Sequence, residues 1–138
     1  MDQNDMLLRQ ILSDCRTIAV VGFSANPMRP SHGVARYLAQ AGYRVIPVNP
    51  GHAGQEIAGM TVVGALSDIA EPVDMVDIFR RSEHVLPVVE EALTLPGLKC
   101  VWMQLGVRNA EAAALARAQD VQVVEDRCTK IEHARLLG

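Results

Sequence analysis

Residues 19–38 read AVVGFSANPMRPSHGVARYL. An apolar, β-branched run ends at Gly22, and a helical stripe follows with Val34, Tyr37, Leu38 and Ala41 at i, i+3, i+4 and i+7. Strand, turn and helix in that order make the first half of a βαβ unit. Gly22 permits a tight exit from the strand and a close backbone approach. A dinucleotide fingerprint of the G-x-G-x-x-G type needs two more glycines, and they do not follow. A serine, an asparagine and two prolines take their place. What such a turn binds depends on the rest of the chain.

Outward from this stretch, short apolar runs alternate with helical patterns, which predicts βαβ units and a mostly parallel sheet. TIAVVG (17–22) is a strand covered on both faces. Ser31 is expected to cap the helix that follows, and Gly42 to end it in a left-handed conformation. RVIPV (44–48) is the second strand, with Pro47 near its end or on an unpaired side. A glycine-rich loop leads to a short third strand, MTVV (60–63), and ALSDIA makes one helical turn. VDMVDIF (73–79), KCVWMQ (99–104) and VQVVED (121–126) supply three further strands. Helices are expected over 82–95, starting near His84 because of Pro87, and over the alanine-rich segment capped by Asn109. An amphipathic helix within 1–16 and a closing helix over 127–138 complete a single domain spanning 1–138. Right-handed crossovers then give an α/β, Rossmann-like, doubly wound sheet of five or six strands with helices on both faces.

Composition excludes several classes. The hydrophobic fraction of 49% and charged fraction of 21% belong to a globular chain, not a disordered one. Thirteen basic against 16 acidic residues, with 4% aromatics, give no platform for nucleic acid. Cys15, Cys100 and Cys128 are far apart and form no C-x-x-C, so a disulfide framework or a zinc ribbon is not expected. The N-terminus lacks a basic region followed by a long apolar run, and no apolar stretch reaches 18 residues. The expectation is a cytoplasmic protein with no membrane partner and no metal.

In an open α/β sheet, ligands bind beyond the carboxyl ends of the strands at the topological switch point. For strand order 3-2-1-4-5 the loops to inspect are 22–31, 49–54, 79–84 and 104–109. The first offers Gly22, Ser24, Asn26 and the charge of Arg29, stiffened by Pro27 and Pro30. The helix start at Ser31 and His32 presents N–H groups suited to a phosphate. The second has Asn49 and Pro50 where NAD-type sites usually carry a carboxylate for the ribose diol, and His52 follows. The third puts Arg80 and Arg81 at a central strand end, each free for a ligand or paired with Glu83 or Asp77. Asp77, inside an apolar strand, needs a partner such as Arg80 or a backbone donor. The fourth contributes Gln104 and the Gly106 turn.

The segments VVGFSANPMRPSHGVARYLAQAGYRVIPVNP, VDMVDIFRRSEHV, VWMQLGVRNAEAAALA and VVEDRCTKIEH, in this order, resemble the small stand-alone CoA-binding proteins. That family is related to the CoA-binding N-terminal domain of the succinyl-CoA synthetase alpha subunit and to ADP-forming acyl-CoA synthetases. The resemblance implies coenzyme A, or an acyl-CoA, lying across the strand ends. By it, Gly22, Phe23, Ser24, Asn26 and Pro27 match the turn that cradles CoA phosphates. Asn49, Pro50 and His52 match the segment contacting the nucleotide end, where the synthetases often carry a lysine instead of His52. Phe79 and Arg80 match the segment after the fourth strand, and Met103, Gln104 and Leu105 a loop near the pantetheine arm.

The synthetases' phosphohistidine lies on a further domain outside these 138 residues. No catalytic residue is assigned. The leading reading is a non-catalytic CoA or acyl-CoA binder, a sensor or a partner of an acyl-CoA enzyme, with homo-oligomerisation open. The alternatives are an NAD(H)- or nucleotide-responsive regulator, and an acyl-CoA-processing enzyme using Cys128 or His32. Cys128 and His133, five residues apart, do not share a helical face, and both are expected to be structural. Asp126–Arg127 is expected to pin the last strand to the closing helix, and Trp102 to line core or cleft.

Overall fold

In the computed structural model, which describes residues 2–138, the chain runs α1 (Gln3–Asp14), β1 (Thr17–Val21), α2 (Pro30–Gln40) and β2 (Arg44–Val48). It continues through β3 (Glu56–Ile57), β4 (Met60–Thr61), β5 (Met75–Ile78) and α3 (Val85–Ala92). β6 (Cys100–Met103), α4 (Ala110–Ala118), β7 (Gln122–Val124) and α5 (Thr129–Leu136) complete it. Five of the strands form one parallel sheet in the order β2-β1-β5-β6-β7. The switch point lies between β1 and β5, as expected.

Sequence alternation sorts the sheet's side chains into two cores. Ile18, Val20, Met75, Cys100 and Trp102 point to one face, where α1 and α2 bury Leu8, Ile11, Leu12, Val34 and Leu38. Ala19, Val21, Val76, Ile78, Val101 and Met103 point to the other, covered by Val85 and Val89 of α3 and Ala112, Ala113 and Ala116 of α4. The strands read as unbroken apolar runs because both faces are covered.

Local signals explain most boundaries. Asp2 caps α1 by accepting from the Asp5 N–H at 2.7 Å, and Asn109 caps α4 by accepting from Ala112 at 2.9 Å. After α2, Gly42 at φ 105° donates to Ala39, and Tyr43 donates to Leu38, the paired bonds of a Schellman ending. Pro87 sits in the first turn of α3, preceded by a 3-10 turn over Ser82–His84. Pro47 lies in an edge strand.

Two expectations are corrected. The third strand does not join the sheet as a full strand: β3 and β4 pair with each other antiparallel, and only Val63 reaches β2, through a parallel bridge to Val48. The glycine-rich loop had hidden β3. Nor does Ser31 cap α2. Pro30, whose missing N–H costs nothing at the first helical position, starts the helix, and Arg29 stands at the N-cap without a side-chain bond. No helix among the described residues is long and apolar enough to cross a membrane.

Candidate functional site

The carboxyl ends of β1, β2, β5 and β6 open into a cleft of about 860 Å³. Its rim is the 22–31 loop, contributing Gly22, Phe23, Ser24, Asn26, Arg29 and Ser31. Asn49 and His52 enter from the end of β2, Phe79 from β5, and Gln104, Leu105 and Val107 from β6. Four separate loops thus converge, and all four were singled out by topology alone. Pro30 and Cys128, noted in the sequence in other roles, also line the cleft, as do Ala25 and Val34, which no pattern in the sequence sets apart as site residues.

The 22–31 loop holds its own shape. Ser24 N–H donates to the Ser31 hydroxyl at 2.9 Å, so Ser31 ties the loop instead of capping the helix. Asn26 N–H donates to the Ser24 hydroxyl, and Met28 N–H to the Asn26 side-chain oxygen. His32 is buried beneath the loop, its ring stacked on Phe23 with centroids 5.4 Å apart. Its Nδ1 lies 2.9 Å from the Ser24 carbonyl, which can only accept, so Nδ1 carries the proton. His32 therefore supports the turn from behind and does not face the cleft. The amides of Ala25 and Ser31 have no acceptor among the described residues.

Asn49 commits its amide to the protein. Its Nδ2 donates to the Phe23 carbonyl at 2.8 Å and its Oδ1 accepts from Gly51 at 2.8 Å, clamping the β1 and β2 loops together. Asn49→Ala is expected to cost about 1–2 kcal/mol, the loss of one part-buried and one exposed bond. Urea denaturation checks this, and an unchanged midpoint would show that the clamp carries no weight.

Other expected residues lie elsewhere. Met103 is fully buried against α3 and α4, on the opposite face from the cleft, because strand alternation aims Gln104 and not its neighbour inward. Pro50 and Arg80 border a second, smaller hollow of about 470 Å³ on the other side of the Gly22–Phe23 turn. Pro27 is exposed and borders neither. Among the described residues, Arg29, Arg80 and Arg81 form no ion pair, so the alternative in which Arg80 or Arg81 pairs with Glu83 or Asp77 is absent.

Asp77 has a different partnership. Its carboxylate is fully buried and accepts from Gln104 Nε2 at 2.9 and 3.0 Å and from the Thr129 hydroxyl at 2.9 Å. Burial pushes its carboxyl up to about 7, and the bonds from Thr129 and Gln104 restrain the rise. Arg80 takes no part. The last loop is also divided differently from expectation. Asp126 holds the 104–109 loop, accepting from Gly106 N–H at 2.7 Å and pairing with Arg108 at 3.0 Å. Of the two residues only Arg127 reaches α5, through Glu132 at 2.9 Å. Cys128 and His133 point apart: Cys128 borders the cleft, while His133 meets the Tyr37 hydroxyl at 2.8 Å.

The sequence model of the CoA binding domain family matches residues 16–134. The chain belongs to that family. Over 127 residues it is 39% identical to the uncharacterized protein YneT of Bacillus subtilis (strain 168), covering 92% of each chain. A Thermus thermophilus structure, cell-free ID.343, is 43% identical with a TM-score of 0.91, covering 98% of this chain and 100% of that one. The chain also resembles part of a dinucleotide-forming acetyl-coenzyme A synthetase from Ca. Korarchaeum cryptofilum, at 26% identity and a TM-score of 0.65. That likeness covers 78% of this chain and 25% of the synthetase. This CoA-binding-domain protein thus has the fold of a domain that recurs within a much larger enzyme.

Proposed function

We propose that this CoA-binding-domain protein holds coenzyme A or an acyl-CoA across the 860 Å³ cleft, as a sensor or partner of acyl-CoA enzymes and without catalysis of its own. One observation carries the reading: the self-tied 22–31 turn, with open amides at Ala25 and Ser31 and the unpaired Arg29, lies in a family match that spans it. A phosphate needs N–H donors and positive charge, and this rim supplies both. The volume suits a cofactor-sized ligand. Gly22, Phe23, Ser24, Asn26, Arg29 and Ser31 would hold the phosphates, His52 the nucleotide end, and Phe79, Gln104 and Leu105 the arm. Coenzyme A would bring a thiol on a flexible arm; the chain's residues bind and orient it.

Absence of catalysis is supported by the surroundings of the two candidate nucleophiles. His32 is buried behind Phe23, and Cys128 has no hydrogen-bonded base among the described residues. Asn49 in place of a ribose-binding carboxylate disfavours NAD(H).

Calorimetry with CoA, acetyl-CoA, dephospho-CoA, NAD and NADP tests the proposal. CoA and acetyl-CoA are expected to bind in the micromolar range or tighter, with dephospho-CoA weaker and NAD undetectable. Clear NAD binding without CoA binding at millimolar ligand would overturn it. Acyl-CoA turnover by purified protein that disappears in Cys128→Ala would overturn the non-catalytic part.

A further inference from the structure

Gln104 is 4% exposed, lies at the end of β6 and borders the cleft. Both hydrogens of its amide nitrogen are engaged, one by the Asp77 carboxylate and one by the Thr129 hydroxyl at 2.9 Å. Thr129 in turn donates its only hydroxyl hydrogen to Asp77. An ionised carboxylate only accepts, so in that form the network fixes which end of the amide faces it. The nitrogen points inward and the oxygen is left over. That oxygen has no protein partner among the described residues, yet it is not among sealed, unsatisfied atoms, of which the described residues have none. It therefore faces the cleft.

We propose that Gln104 is a specificity-determining residue whose amide oxygen, oriented by Asp77 and Thr129, accepts a hydrogen bond from an N–H on the ligand's arm. This rests on the reading of the cleft as a CoA site, and it names the chemistry of one subsite. The arm of coenzyme A carries two secondary amides, each with one N–H donor. An acceptor held rigidly at the cleft wall selects for such a donor, because a ligand without one leaves a desolvated oxygen unpaired. Asp77 and Thr129 act through Gln104 and are positioning residues. Their arrangement also explains an ionisable residue in the middle of a central strand: the charge serves the orientation of its neighbour.

The test, run at pH 8 where Asp77 is ionised, compares coenzyme A with adenosine 3′,5′-bisphosphate, which has the nucleotide end and no arm. Gln104→Met is expected to weaken CoA about fivefold to tenfold, the loss of one hydrogen bond, and to leave the bisphosphate unchanged. Asp77→Asn keeps Gln104 but replaces two acceptor oxygens with one acceptor and one donor, so the amide is no longer held in a single orientation. The same selective loss of CoA affinity is expected there, and this second variant remains informative if Gln104→Met does not fold. Equal losses for both ligands, or no loss for either, would overturn the inference while leaving the CoA reading intact. Parent protein that binds neither ligand would overturn both.

Discussion

Gly22→Ala is expected to destabilise the protein by about 3–5 kcal/mol and to lower its melting temperature by roughly 10–15 °C. Two independent causes act at this position. Gly22 has φ 84°, where an L side chain is strained by about 1–2 kcal/mol. In addition, a Cβ there would overlap the Phe79 carbonyl oxygen and stand 3.0 Å from its carbon. These are backbone atoms and cannot swing aside. Phe79 is itself held to β1, its N–H donating to Val21 at 2.9 Å. Relief would therefore require parting the ends of β1 and β5, where the cleft begins. Gly33→Ala provides the contrast. Gly33 lies within α2 with nothing within 4 Å of its prospective Cβ, so alanine is expected to gain about 0.5–1 kcal/mol. Thermal unfolding followed by circular dichroism compares the two, and a Gly22→Ala shift below about 3 °C would refute the steric account.

The same residue shows how far the sequence could be read. The β-branched run into Gly22 revealed the strand, the turn and the switch point, because those follow from local pattern and chain handedness. The four loops of the cleft were legible for that reason. Positions within them were legible only where alternation was respected. Met103 and Gln104 are neighbours, and only a register count shows that one faces α3 and the other the cleft. Side-chain partners were the least legible. Asp77 looked like a mate for Arg80, three residues away, but its partners are Gln104 and Thr129, 27 and 52 residues distant. His32 looked like a phosphate donor at a helix start, yet the turn folds over it and it stacks on Phe23. Such contacts depend on packing between elements, which pattern and propensity do not encode. β4 fell inside the strand read over 60–63, but β3 and its pairing escaped for a different reason: a strand of two residues carries no periodicity to detect.

Asp77→Asn is expected to change the pH dependence of stability more than any other single substitution. The Asp77 carboxyl stands at about 7 in the folded protein, because burial disfavours its charge, against about 4 in an unfolded chain. The folded state therefore holds the proton more tightly, and stability falls as pH rises from about 4 through 7, then levels off. Over that window the contribution is on the order of 3–4 kcal/mol. Other acids act in the opposite direction. Glu71 is held low by its bond to Arg44. Asp74 is held low because the Thr17 and Arg16 amides outweigh its burial. Both lose stabilising interactions only as pH falls into the acid range, and both are present in parent and variant alike. The difference between the two melting curves thus isolates Asp77. The substituted asparagine would be uncharged at every pH, with Thr129 donating to its oxygen. The variant should match or fall slightly below the parent at pH 5 and exceed it by roughly 2 kcal/mol at pH 8. A difference that stays flat from pH 5 to 8 would mean that Asp77 does not titrate in this window. A variant that loses ground as pH rises would mean that the charge stabilises the fold. The expected result, a gain in stability together with a selective loss of CoA affinity, would show that the buried carboxylate is retained at a stability cost because it orients Gln104 toward the ligand.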